Sequence, residues 1–144
     1  MHRPLRLVAA LTTLSACGAD TTVTASNGPP PAFTYPQLLQ VASVQGPVRF
    51  RVRFDSVGSP QLSTLEVVST PNLGFPPAIR RGLQAWRDPA LAGRTLEHTV
   101  RFIMMDMDAT DSIARCRSSA DEWLVCARRV PPTVISVPAP VRVP

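Results

Sequence analysis

Val48-Arg49-Phe50-Arg51-Val52-Arg53-Phe54-Asp55 decides the fold, because apolar and charged residues alternate without a break over this stretch. Successive side chains of a strand point to opposite faces. The stretch therefore reads as a half-buried strand, with Val48, Phe50, Val52 and Phe54 on a core and the three arginines in water. Ser56-Val57-Gly58-Ser59-Pro60 follows as a turn. Leu62 to Ser69 is rich in β-formers and is predicted to return antiparallel. Upstream, Pro36 opens a short amphipathic helix with Tyr35, Leu38, Leu39 and Ala42 at helical spacing, and Gly46-Pro47 ends it.

Downstream, Pro71 to Gly74 is a loop. Pro76-Pro77 open a second helix, where their missing N–H groups cost little, and Ile79, Leu83 and Trp86 form its apolar stripe. Gly82 lies beside that stripe. It lowers helix propensity by about 1 kcal/mol relative to Ala, which points to close packing. Pro89 ends the helix and Gly93 marks a turn. From Glu97 to Met105 the alternation resumes, with Val100, Phe102 and Met104 on one side and Thr99 and Arg101 on the other. The order helix, strand, strand, helix, strand predicts an α+β domain: a small antiparallel three-stranded sheet with two helices on one face.

The N-terminus reads as a targeting segment. Arg3 and Arg6 form a basic start, and Leu7 to Leu14 form an apolar run too short to span a bilayer, which needs about 20 residues. The run ends Leu14-Ser15-Ala16-Cys17. This resembles the bacterial lipobox, in which small residues precede a cysteine that is lipidated and becomes the mature N-terminus. Lipidation at Cys17 would anchor the chain to a membrane surface instead of threading it through. The competing reading is an ordinary secretory signal cut near Ala19. Gly18, not Asp, follows the cysteine; by resemblance to lipoprotein sorting this favours the outer membrane over the inner. Residues 18–34, small and polar with a run of prolines and no periodicity, are predicted to be a flexible tether, reaching about 60 Å at full stretch.

Lipidating Cys17 leaves Cys116 and Cys126, and an even pair in an oxidising compartment fits a disulfide. Asp121 lies midway, so a hairpin turning there would set the two cysteines opposite each other. Free thiols and a metal site are the alternatives. A metal is disfavoured because His98 is the only histidine outside the leader and there is no C-x-x-C. Residues 106–144 are predicted to be an extension holding a helix or that disulfide-closed hairpin. It ends in a tail where prolines alternate with valines, an extended or edge segment.

Composition excludes several classes. The 144 residues suffice for one domain and not two. A 44% apolar and 17% charged balance argues against a disordered chain. There is no lysine among the 15 basic residues, which rules out a P-loop lysine or a Schiff-base lysine. The net charge of +5 falls to about +3 once Arg3 and Arg6 are removed, and the arginines are spread out, so no nucleic-acid partner is expected.

The residues around the two alternating strands resemble the C-terminal domain of the TonB family of periplasmic energy transducers. The resemblance runs in order through Tyr35-Pro36, Gly46-x-Val48-x-Phe50-x-Val52-x-Phe54-Asp55-x-x-Gly58 and Val67-Val68-Ser69-Thr70. It continues through Ala78, Trp86-Arg87-x-Pro89-Ala90-x-x-Gly93 and the strand from Thr99 to Ile103. It covers residues 35–105, about half the chain. Asp88 departs from it, since the family often has an aromatic residue there. The transmembrane helix and long Pro-rich spacer of a TonB proper are also missing from the pattern. The resemblance implies an α+β module that binds an extended receptor segment by adding it to a sheet edge. It implies that this edge is the last strand: Thr99, Val100, Arg101, Phe102, Ile103, Met104 and Met105. An extension lying over that edge would close it.

Catalytic chemistry is poorly provided for. A nucleophile triad needs a histidine beside a Ser or Cys, and His98 falls inside a strand, on the side of Val100. Asp106-x-Asp108-x-x-Asp111 lacks the Gly and Glu of an EF-hand loop and reads as a solvated acidic turn. Arg49, Arg51 and Arg53 either invite an anionic partner or simply line a solvated sheet face. Trp86 fits the core; Trp123 could be core or interface anchor. The expectation is therefore a non-enzymatic, lipid-anchored envelope protein on the periplasmic side, with no cofactor or metal. Its partner would be an envelope protein or peptide, such as an outer-membrane receptor, and dimerisation by strand exchange is left open. The alternative is a structural envelope domain with no peptide ligand.

Overall fold

The computed structural model describes residues 21–26, 28–106 and 116–131. Cys17 and the rest of the leader, Asp108, Asp111 and the tail from residue 132 lie outside the described residues. The elements run β1 (Thr22–Val23), α1 (Gln37–Val41), β2 (Gly46–Arg53), β3 (Glu66–Ser69), α2 (Pro76–Gln84), β4 (Thr95–Met105) and β5 (Glu122–Arg128). Short 3-10 turns occupy Leu62–Thr64 and Pro89–Leu91.

The alternation in β2 does what its pattern dictates. Val48, Phe50 and Val52 are fully buried, and the intervening arginines are exposed. β4 lies antiparallel beside it, from Gly46 opposite Phe102 to Arg53 opposite Thr95. β3 pairs antiparallel on the other flank, with Arg51 opposite Glu66 and Phe50 opposite Val67. The predicted strand from Leu62 begins late, because Leu62–Thr64 winds into a 3-10 turn whose Thr64 hydroxyl accepts the Arg53 N–H.

The turn after β2 is built on Asp55, whose carboxylate accepts the N–H groups of Val57 and Ser59. Gly58 has a φ of +81°, and the Asp88 carbonyl packs where a Cβ would sit. Only glycine fits there.

α2 packs Ala78, Ile79 and Leu83 onto the core face of the sheet. Phe75, just before it, stacks on Phe102 at 4.3 Å. α1 is a single short turn that buries none of its own residues. It is tied to one end of the sheet: Gln40 donates to the Arg128 carbonyl, and Arg129 to Ser43.

The sheet has five strands, where the sequence predicts three. The spatial order is β3-β2-β4, and the far flank of β4 is shared end to end by β1 and β5, both parallel to it. The two extra strands are needed because the three-stranded core leaves a hole. Trp123 of β5 fills it, 1% exposed, against Phe33, Phe50, Trp86 and His98.

The expected flexible tether over residues 18–34 is also corrected. Thr22 and Val23 pair with Thr95 and Leu96. Beyond them, Ser26 donates to Asp88, Pro29 accepts the Trp86 indole N–H, and Phe33 covers Gly82 so closely that a Cβ there would collide with its ring. The described residues 21–26 and 28–34 form a strap across the core, and the domain is not confined to residues 35–105.

Candidate functional site

The expected binding edge is closed. Every residue from Thr99 to Met105 is paired with β5: Thr99 opposite Glu122, Val100 opposite Trp123, Arg101 opposite Leu124, Phe102 opposite Val125, Ile103 opposite Cys126, Met104 opposite Ala127 and Met105 opposite Arg128. β2 occupies the opposite flank as far as Phe102. The extension beyond residue 105 thus supplies the strand that the resemblance would assign to a ligand, and it does so because Trp123 and Val125 complete the core.

The Cys116–Cys126 disulfide is formed, with Cα atoms 6.0 Å apart. It does not bridge a two-stranded hairpin. The chain does turn near Asp121, where the Ser119 N–H donates to the Glu122 carbonyl and the Ser119 hydroxyl accepts the Glu122 N–H. Residues 116–121, however, form no strand, and Cys126 belongs to a strand laddered to β4. The bridge ties the loop before β5 to that strand and so helps hold β5 in place.

A different edge is open. Among the described residues β3 has one ladder partner, β2. Beside it runs a groove of about 320 Å³ between the sheet and the start of α2, lined by Leu65, Val67, Pro76, Pro77 and Arg80. The prolines offer apolar surface and no N–H groups. The groove is apolar apart from Arg80, whose guanidinium donates to the Leu62 carbonyl on its rim. Val68, on the same strand, is 43% exposed.

The sheet face away from α2 carries charge, and most of it is internally matched. Glu97 of β4 sits between Arg49 and Arg51 of β2 and bonds both, at 2.7 Å to Arg51. Hydrogen bonds from Arg51 hold the Glu97 carboxyl below the usual carboxylate range; burial opposes this and Arg49 adds to it. Arg101 and Glu122 pair at 2.9 Å across β4 and β5. Of the two readings of the arginine row, the geometry favours a salt-bridged sheet surface, since Arg49 and Arg51 already grip a carboxylate. Asp106 is exposed and lies 3.5 Å from Arg129.

His98 faces the core, on Val100's side of β4 as expected. Its Nδ1 lies 3.0 Å from the Thr24 carbonyl. A carbonyl can only accept, so Nδ1 carries the proton and Nε2 is a bare acceptor, buried with no hydrogen-bond partner among the described residues. Burial pushes the imidazole below its usual value; the Thr24 bond and the carboxylates of Asp121 and Glu122 pull it back only in part. Its ring packs on Trp123 at 4.1 Å. A polar cleft of about 240 Å³ opens beside it where β1 ends and β5 begins, with Arg49, Glu97 and Asp121 on its walls. The described hydrogen bonds place no hydroxyl on the ring. Among the described residues, no group of three or more His, Cys, Asp or Glu side chains is placed to hold a metal, and no helix is long and apolar enough to cross a membrane.

No family model matches the chain, and no curated protein or solved structure matches it. The chemistry of its surface must therefore carry the functional argument. Three contributors to the architecture were not identified from the sequence: the Ser26–Asp88 bond, Phe33 in its notch, and Trp123 as the centre of the core. Of these, the notch that Phe33 fills had a signal in Gly82, because a glycine on a helix's buried stripe marks a close approach.

Proposed function

We propose that this chain is a non-enzymatic envelope protein, lipid-anchored through Cys17 on the periplasmic side, at the outer membrane in preference to the inner. In this reading its TonB-C-like domain takes an extended segment of a protein partner by strand addition, at β3 and not at Thr99–Met105. The observation that carries the reading is the pairing asymmetry. Among the described residues β4 has neighbours on both flanks, whereas β3 has one and lies beside an apolar groove. An unpaired edge offers N–H and C=O groups to an incoming backbone, and pockets beside it choose the side chains. The groove of Leu65, Val67, Pro76 and Pro77 selects a peptide with apolar side chains at alternate positions. The ordered sequence resemblance supports the same class of partner, a segment of an outer-membrane receptor.

Amide hydrogen exchange on the mature chain tests this, run alone and with peptides from periplasmic receptor segments. The expected result is slowed exchange confined to Glu66–Ser69, abolished by Val68→Lys, which sets an ammonium on the edge. No slowing at those amides with any peptide would sink it. The second reading, a structural envelope domain without a peptide ligand, would then stand. It is favoured by one specific observation: β3 is only four residues long, and short edge strands are a known way of discouraging strand addition.

A further inference from the structure

With Cys17 as the anchor, the strap changes where the domain sits. The Thr21 carbonyl already accepts the Thr95 N–H at the start of β4. Only Gly18, Ala19 and Asp20 separate Cys17 from that bond. Fully stretched, the four steps from Cys17 to Thr21 reach about 14 Å, against the 60 Å of an unbound tether. A leash that short leaves the domain no room to float. The end of the sheet where Thr21 enters must lie close to the headgroups.

That end has a definite chemistry. Thr95 is opposite Arg53, the last residue of β2. Arg94 precedes it, and its carbonyl accepts the Phe54 N–H. Arg87 donates to the Val57 carbonyl in the Asp55 turn, and Arg81 lies in the last turn of α2. All four arginines are exposed. Of the described acidic groups at this end, Asp88 is buried, accepting from Ser26 and the Ala90 N–H, and Asp55 is half-buried, accepting the N–H groups of its own turn with the Arg87 charge nearby. Among the described residues, Val57 is the large apolar side chain exposed at the tip, at 50%.

We propose that this basic end, comprising the Asp55–Pro60 turn and the Arg87–Arg94 loop, is a membrane-contact surface that docks on anionic lipid headgroups. The proposal rests on lipidation at Cys17. Docking there stands β4 away from the bilayer, so its far end lies about 33 Å along the strand from the leash. The exposed Leu38, Val41 and Leu73 belong to that distal end.

The test uses the full chain expressed in a Gram-negative host and purified from the envelope. Its mass is checked first, and it is then placed in bilayers of phosphatidylcholine with or without phosphatidylglycerol. Amide signals are read with a gadolinium chelate on the lipid headgroups. Broadening concentrated on residues 55–59 and 87–94, and stronger with phosphatidylglycerol, is the expected result. A Gly/Ser spacer of about twenty residues inserted after Cys17 removes the tight leash and leaves the arginines to hold the surface. In that background Arg87→Gln and Arg94→Gln should each weaken docking by about fivefold, the value of one arginine near an anionic surface. A mass without acyl chains overturns the anchoring reading and this proposal with it. An acylated chain that shows uniform broadening, or broadening at residues 38–42 and 72–74, overturns the docking surface alone.

Discussion

The two flanks of this sheet are built on opposite terms. On the β4 side, seven consecutive residues from Thr99 to Met105 are matched by β5, a strand that brings Trp123 into the centre of the core and is braced by a disulfide. On the β3 side, four residues hold the edge with no described neighbour beyond them. The difference lies in what each flank contributes to the core. The β4 flank is closed because the core is incomplete without Trp123. The β3 flank adds only the partly buried Val67 and Leu65. A closed edge is the natural outcome where burial rewards it, and an open one survives where little apolar area is at stake.

The largest test of that difference is Trp123→Ala. Removing a buried tryptophan from the contact of Phe33, Phe50, Trp86 and His98 should cost about 3–5 kcal/mol in urea unfolding. In the native ensemble, β4 amides at 99–105 should gain exchange while the β2–β3 ladder keeps its protection. Equal losses on both flanks would mean that β5 and β3 belong to one cooperative unit, and the contrast would collapse.

A smaller perturbation of the same flank is the Cys116→Ser, Cys126→Ser pair. The bridge closes a ten-residue separation, which corresponds to about 2–3 kcal/mol of chain entropy. Because it holds the loop before β5 and not a hairpin, its loss should loosen residues 116–121 and the start of β5 first. Exchange at Ala127 and Arg128 should change least, since α1 also grips that end through Gln40.

This contrast was half legible in the amino acids. The alternation of β2 and β4 is local, and it correctly separated core from surface at Val48, Phe50, Val52, Val100 and Phe102. The Pro-Pro start of α2 and the Asp55-to-Gly58 turn were equally local. β5 was not, because a parallel partner is chosen by long-range packing, and Trp123-Leu124-Val125-Cys126-Ala127 reads equally well as a helix or a strand. The strap failed for a different reason. Its polar, proline-rich composition describes what the segment prefers alone, whereas its place is set by tertiary capture at Asp88, Trp86 and Gly82. The pairing of Thr99–Met105 with β5 was likewise beyond local reading. Resemblance over residues 35–105 carries no information about an extension outside it.

The subtlest test separates the two faces of β4 by pH. Glu97 on the outer face is held below the usual carboxylate range, chiefly by hydrogen bonds from Arg51. A depressed carboxyl binds fewer protons folded than unfolded. Its stabilisation is therefore complete above the unfolded value near 4.3 and is lost as pH falls through the folded one. His98 on the inner face is also depressed, but by burial. Here the unfolded chain takes up its proton first, so stability begins to fall as pH drops below about 6.5 and levels off once the folded imidazole is also protonated. Urea midpoints measured from pH 7.5 to 3 should thus decline in two stages. His98→Phe should flatten the upper stage, because it removes the imidazole while keeping a ring on Trp123. Glu97→Gln should flatten the lower one, because the amide can still accept from Arg51 but no longer titrates. If His98→Phe leaves the decline between pH 6.5 and 5 intact, the imidazole is not held neutral between Thr24 and Trp123. The strap would then not be seated on β4 as described. If only Glu97→Gln has no effect, the Arg49–Glu97–Arg51 cluster is a surface ornament of the sheet, and the contrast between the faces rests on the core alone.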